Sequence, residues 1–282
     1  MNEANLIILT CSPKVGICLL LMVIFFLLVN IFFMNTIASN IIYGSIIGDI
    51  AGSTIETTYP EGTWEDINLE SLLQIGHFTD DTVLTIANVD AILNNTDFKE
   101  VYKKWGLAYS CQGFSKNFIE KFLKADNPEP IHSGANGAIM MLSPFIALES
   151  DRWPEAVKVS HDCIEAYRCA DWYVNYGKFL KGDEMLYVVS SPYLSFMAPY
   201  EKLCKERHWD MSSIITLRNA AVCLENSKSY EEVIKKALYL GADADTTAAV
   251  AGGWAAAKFG VPDKLVNLAK RKLTAEMLEF LN

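Results

Sequence analysis

Between Thr79 and Asn94 the chain is apolar at Val83, Leu84, Ile86, Ala87, Val89, Ala91, Ile92 and Leu93. A helix apolar on most of its faces has to be buried, so other elements must surround it. Strand signals are scarce; Tyr187-Val188-Val189 is the best alternating-type run and it is short. Helix signals are frequent. Asp97 followed by Glu100 predicts a helix through about Ser110. Ser229-Tyr230-Glu231-Glu232 reads as a capping box, with Gly241 as the stop. Asp245 to Phe259 is Ala-rich and helical, and Gly260 ends it. Pro262 then opens a final helix carrying Leu265, Leu268, Leu273 and Leu278, while Pro144, Pro154, Pro192 and Pro199 punctuate the middle. The expected fold is all-α, one compact multi-helix domain over residues 41–282, preceded by a hydrophobic N-terminal segment over residues 1–40.

That segment raises the mean hydropathy to +0.17. Ile17 to Met34 carries no charge, and Asn30 is its one strongly polar residue. At ~1.5 Å rise per residue it would span about 27 Å, close to a bilayer core. Three readings stand side by side. It is a single-pass anchor, or a signal peptide with Lys14 as a thin n-region and a weak cleavage site at Thr36-Ile37-Ala38, or untranslated sequence ahead of a start at Met34. Membrane association is expected only through residues 17–34.

Charge narrows the function classes. The net charge is −10, with a pI near 4.9. A nucleic-acid binder needs a surplus of Lys and Arg, so that class is set aside. Residues 35–98 hold ten Asp or Glu and no Lys or Arg, which accounts for the whole surplus. The seven cysteines, at 11, 18, 111, 163, 169, 204 and 223, form no C-x-x-C. They read as reduced thiols of a cytoplasmic-type domain rather than a zinc site or disulfide framework.

Two acidic clusters stand at helix starts: Thr79-Asp80-Asp81-Thr82 and Asp243-Ala244-Asp245-Thr246. One Asp suffices for a cap. A second adds like-charge repulsion that a bound cation would remove. The donors are hard oxygens, which points to Mg²⁺, Mn²⁺ or Ca²⁺ rather than zinc. Plain capping is the competing reading. Glu56 ends the Gly-rich stretch Gly44 to Glu56 and by itself reads as a solvated helix end; the stretch lacks G-x-G-x-x-G. Ser133-Gly134-Ala135-Asn136-Gly137 could present backbone N–H groups to a phosphate, or be an ordinary turn. His161, alone, reads as a surface or satisfied core histidine.

Taken in order, these pieces resemble the ADP-ribosylglycohydrolase family. The residues that carry the resemblance are Gly44 to Asp49 with Glu56, Phe78 to Thr82, Asn136 to Pro144, Ser160-His161, and Gly241 to Gly252. The resemblance implies an all-α fold with two Mg²⁺ ions in a central cleft, Mn²⁺ being a possible substitute. It implies Thr79, Asp80, Asp81, Asp243, Asp245 and Thr246 as metal ligands. It implies Glu56 as the likeliest base, with Asp80 second, and Ser133, Gly134, Asn136 and His161 at the substrate. The implied reaction is hydrolysis of the glycosidic bond between ADP-ribose and a protein side chain or small conjugate. The alternative is a non-catalytic relative that binds ADP-ribose or serves structurally. A cytoplasmic domain is expected. Three positions depart from the family's habit. Ala242 stands where Gly is common, Met141 where Arg is common, and Ala135 where Gly is usual.

Overall fold

A computed structural model describes residues 36–182 and 198–281. The chain divides into two units, Met1–Ile37 and Ala38–Asn282. In the first, Thr36 and Ile37 are described and both are helical. The apolar run Ile17–Met34 and the strand candidate Tyr187–Val189 lie outside the described residues. Among the described residues, no helix is long and apolar enough to cross a membrane.

In the second unit every described regular element is a helix, apart from an isolated bridge between Ala135 and Ser212. Helix α1 covers residues 38–52. It is followed by α2 (Leu69–Ile75), α3 (Asp80–Leu93), α4 (Phe98–Ala108) and the short α5 (Lys116–Phe118), which runs on into a π turn at Ile119–Leu123. Next come α6 (Ser143–Ala147), α7 (Trp153–Ser160) and α8 (Ile164–Lys181). The rest are α9 (Tyr200–Lys205), α10 (Ser213–Glu225), α11 (Tyr230–Leu240), α12 (Ala244–Phe259), α13 (Asp263–Lys270) and α14 (Ala275–Glu279). Pro144 and Pro154 stand in the first turns of α6 and α7, where a missing N–H costs nothing.

Two helices form the centre. α12 is buried from Ala244 to Ala256 and packs against α8, α10 and α11. Its small side chains let neighbours come close, and Trp254 fills the gap at its far end against Tyr173, ring centroids 5.2 Å apart. α3 is buried from Asp81 to Ala91 and packs on α4. Two of its internal polar groups are paired with α4. Tyr102 donates to Asn88 at 2.7 Å and Trp105 donates to Asp90 at 2.8 Å.

α1 lies on α12 through Gly44, Gly48 and Gly52, spaced one turn apart on one face. A Cβ at Gly48 would stand 2.1 Å from the Ala248 carbonyl oxygen, and one at Gly52 would stand 2.2 Å from Asp245 Cα. The glycines therefore bring the end of α1, with Asp49 on it and Glu56 in the turn just beyond it, against the start of α12.

Two local expectations need correction. The final helix is two helices, α13 and α14. Thr274 interrupts it, because its hydroxyl caps α14 by accepting from Met277 N and also meets Tyr109 Oη at 2.9 Å. At Ser229 half of the capping box forms. Ser229 Oγ accepts from Glu232 N, but the Glu232 carboxylate accepts from Lys228 N instead of Ser229 N.

Candidate metal and active site

Thr79 and Asp243 are the N-caps of α3 and α12. They are used differently. The Thr79 hydroxyl accepts from Asp81 N at 3.3 Å, an ordinary cap. The Asp243 carboxylate makes no cap bond. It accepts instead from Asn136 Nδ2 at 2.6 Å. Capping alone therefore does not account for the second cluster.

The two helix starts and the end of α1 meet at a cleft of about 150 Å³. Glu56, Asp80, Asp81, Asp243, Asp245 and Thr246 line it, with Asn136, His161 and an apolar set of Leu84, Phe114, Phe118, Met140 and Met211. One carboxylate oxygen from each of Glu56, Asp243 and Asp245 lies within 4.8 Å of the other two. Asp80 and Asp81 face the same cleft outside that triplet. Thr246 Oγ1 reaches Asp81 Oδ1 at 3.4 Å. Thr79 is buried and is not among the residues lining the cleft, but it stands beside one of them, Gly113, whose Cβ position would lie 3.7 Å from Thr79 Cβ.

Not every expected substrate residue comes to this place. Ser133 and Gly134 do not line the cleft. Ser133 Oγ accepts from Ala135 N at 3.2 Å, and Gly134 O accepts from Ser213 N at 2.9 Å. Asn136 is held by donating to Thr216 Oγ1 at 3.0 Å as well as to Asp243. His161 Nδ1 lies 2.8 Å from Ser160 Oγ. Its ring rests on Gly137, where a Cβ would stand 2.9 Å from His161 Cε1. Met141 is fully buried against Tyr102, away from the cleft.

The electrostatics are those of crowded carboxylates out of water. Burial, then the charge of Asp49, pushes Asp80 up to about 8. Burial and the Asp245 charge push Asp81 well above the ordinary range. Burial and Asp243 do the same to Asp245. Glu56, which remains exposed at the cleft, is raised by partial desolvation, then by the charges of Asp243 and Asp49, with His77 opposing. Burial lowers His161 to about 4, so the imidazole is neutral near pH 7.

The residues fit a hard divalent cation. All donors are carboxylate or hydroxyl oxygens. Asp81 Oδ2 is buried with no hydrogen-bond partner, an orphan that a cation would satisfy. A carboxyl with a raised folded pKa stabilises the fold fully below its unfolded value. That contribution is lost as pH rises through the folded one. For Asp80 the window runs from 3.8 to about 8. The cation-free protein is expected to lose urea resistance across this range, and saturating Mg²⁺ to flatten the decline. Urea midpoints at about pH 5 and about pH 8 check it; a cation-free midpoint that rises with pH contradicts it.

Backbone strain sits beside the triplet. Thr57 and Ala242 have φ of 66° and 59°. They belong to a reciprocal clamp, Thr57 N donating to Ala242 O at 2.8 Å and Ala242 N to Thr58 O at 2.9 Å. The clamp ties the residue after Glu56 to the residue before Asp243. A β-branched residue pays ~1–2 kcal/mol for this conformation. Thr57→Gly is expected to raise stability by roughly 0.5–1 kcal/mol, read from urea midpoints, once the larger unfolded entropy of glycine is subtracted.

Sequence reasoning missed Asp49 as part of this arrangement. It is fully buried in α1, one residue after Gly48, and its carboxylate binds the start of α3. The available signal was a single acid inside an otherwise apolar helical run, which requires a buried partner.

The described domain is all-helical, and buried carboxylate and hydroxyl oxygens from separate elements converge on one cleft. The chain belongs to the ADP-ribosylglycohydrolase family: its family model matches residues 38–170 and 183–280. A solved structure described as an "ADP-ribosylglycohydrolase-related protein complex" is similar in fold, with a TM-score of 0.63 at 20% identity, covering 88% of this chain and 96% of that one. No curated protein matches the chain. Membership gives the general class of activity, ADP-ribosylglycohydrolase-type hydrolysis of ADP-ribosylated substrates, in a family that commonly uses metal ions.

Proposed function

We propose that the protein is a Mg²⁺-dependent hydrolase that cleaves the glycosidic bond joining ADP-ribose to a modified protein side chain or a small conjugate. The observation that carries this reading is the Glu56–Asp243–Asp245 triplet, with oxygens within 4.8 Å of one another, opening on a cleft that Asp80 and Asp81 also line. Thr79, Asp80, Asp81, Asp243, Asp245 and Thr246 would hold two Mg²⁺ ions, or Mn²⁺ in their place. Bound there, the ions supply Lewis-acid and template chemistry at the ribose hydroxyls and the attacking water.

The chain's own residues do the rest. Glu56 is exposed at the cleft, and its raised pKa suits a base that takes a proton from water. Asp80 is the second candidate for that role. An ionised carboxylate beside the anomeric carbon also stabilises oxocarbenium character. Asn136 orients Asp243 through its amide. Neutral His161 offers a hydrogen bond to substrate without adding charge. The apolar Phe114, Phe118 and Met211 limit water at the reacting bond. Ser133 and Gly134 would serve substrate only from outside the cleft lining. Such substrates arise inside cells, so this reading puts the domain in the cytoplasm, with any membrane attachment confined to residues 17–34.

Release of ADP-ribose from ADP-ribosylated protein, with and without Mg²⁺, tests the proposal. A panel of ADP-ribosyl-arginine, ADP-ribosyl-serine, O-acetyl-ADP-ribose and ADP-ribose 1″-phosphate finds the acceptor. Inactivity on all four at every Mg²⁺ concentration, with ADP-ribose still bound, would favour the non-catalytic alternative.

A further inference from the structure

Asp49 makes more contacts than a helix cap requires. Its Oδ1 accepts from Thr79 Oγ1 at 2.7 Å. Its Oδ2 accepts from Thr79 N at 3.0 Å and from Thr82 N at 3.1 Å, and also from Thr82 Oγ1. The residue is fully buried, and the four donors belong to Thr79, the N-cap of α3, and Thr82 in its first turn. A hydroxyl has one proton and two lone pairs. The Thr79 proton is committed to Asp49, and one lone pair takes Asp81 N. What remains on Thr79 Oγ1 is an acceptor.

We infer that Asp49 is a positioning residue: by taking the Thr79 proton it fixes that hydroxyl as an acceptor for a divalent cation and locks the start of α3 that carries Asp80 and Asp81. This rests on the cation-binding reading above. An Oγ1 free to rotate would offer its proton to the cation in part of its states, and metal sites depend on such outer partners for their affinity.

The test is calorimetric titration of the folded full chain with Mg²⁺ and with Mn²⁺. Asp49→Asn keeps the shape but sets an amide N–H against the Thr79 or Thr82 donors. It is expected to weaken cation binding about 10–100-fold. Thr82→Val removes one bond to Asp49 and leaves Thr79 in place. It should lower the urea midpoint while holding cation affinity within about 3-fold. Equal affinity in Asp49→Asn and the parent overturns the inference and makes Asp49 a cap alone. A parent that binds neither cation overturns the proposed function instead. If Asp49→Asn does not fold, Thr79→Ser and Thr79→Val decide the matter. Serine keeps the hydroxyl and the Asp49 bond and should retain affinity. Equal binding by the valine variant overturns the inference.

Discussion

Asp245→Asn is expected to make the protein more stable without a divalent cation and to remove most of the stability that Mg²⁺ confers. Asp245 is buried, and both desolvation and the Asp243 charge oppose its ionisation. The amide has the same shape and no charge. Its carbonyl can still accept from Thr246 N, as Oδ1 does at 2.9 Å, and its N–H can donate to Asp243. The variant therefore loses repulsion and keeps its bonds, so its urea midpoint near pH 8 should exceed the parent's. With Mg²⁺ at ~100 times its Kd, a site of this kind adds about 2.7 kcal/mol to the parent. The variant should gain a small fraction of that. Hydrolysis of the best substrate should fall at least ~100-fold, because on the proposed reading Asp245 is itself a cation ligand and not merely its outer support. A structural acid would give the reverse pattern, with lower stability in the absence of cation and an undiminished Mg²⁺ increment. Paired urea titrations with Mg²⁺ or EDTA separate the two.

Local chemistry was legible where one element decided it. The burial of α3 followed from its all-round apolar surface, and the structure begins it at Asp80 with Thr79 as the cap. α12 ends at Gly260 as its sequence indicates, with a φ of 74°. What the sequence does not express is which side chains meet across elements. The two Asp clusters were visible, yet the tightest oxygen group takes Glu56 from a third element in place of Asp80 or Asp81. Ser133 and Asn136 are three residues apart, and only Asn136 faces the cleft, because Asn136 N is tied to Met211 O at 2.7 Å. The cost of Ala242 depended on a dihedral angle that no residue type reveals by itself, and that angle proved positive. Asp49 was hidden for the same reason. Its partners, Thr79 and Thr82, lie thirty or more residues further on.

Gly48→Val is expected to lower stability by about 3 kcal/mol or more and to abolish cation binding together with it. Even a Cβ at residue 48 would lie 2.1 Å from Ala248 O, 2.3 Å from Ala248 C and 2.6 Å from Ala249 N. All three are backbone atoms of a helix buried on every side, so no side chain can swing away to make room. α1 must then move off α12, and overpacking of this kind typically costs ~1–3 kcal/mol, with more where backbone has to shift. For a domain of this size that is a fall of roughly 6–12 °C in Tm. The functional loss should exceed the stability loss. Gly52, one turn further along, seats α1 on Asp245 itself, with a Cβ position 2.2 Å from Asp245 Cα. Displacing α1 separates Asp49 from Thr79 and Glu56 from Asp243 and Asp245. Gly44→Ala is the milder companion, since its nearest contacts, Ala256 Cβ and Gly252 O, stand at 2.5 Å rather than 2.1 Å, although both are fixed to the backbone. The expected order of damage is Gly48→Val above Gly48→Ala above Gly44→Ala, in both Tm and Mg²⁺ affinity of the folded fraction. A Gly48→Val protein that melts with the parent and binds Mg²⁺ equally well would mean that α1 does not seat against α12 at this point.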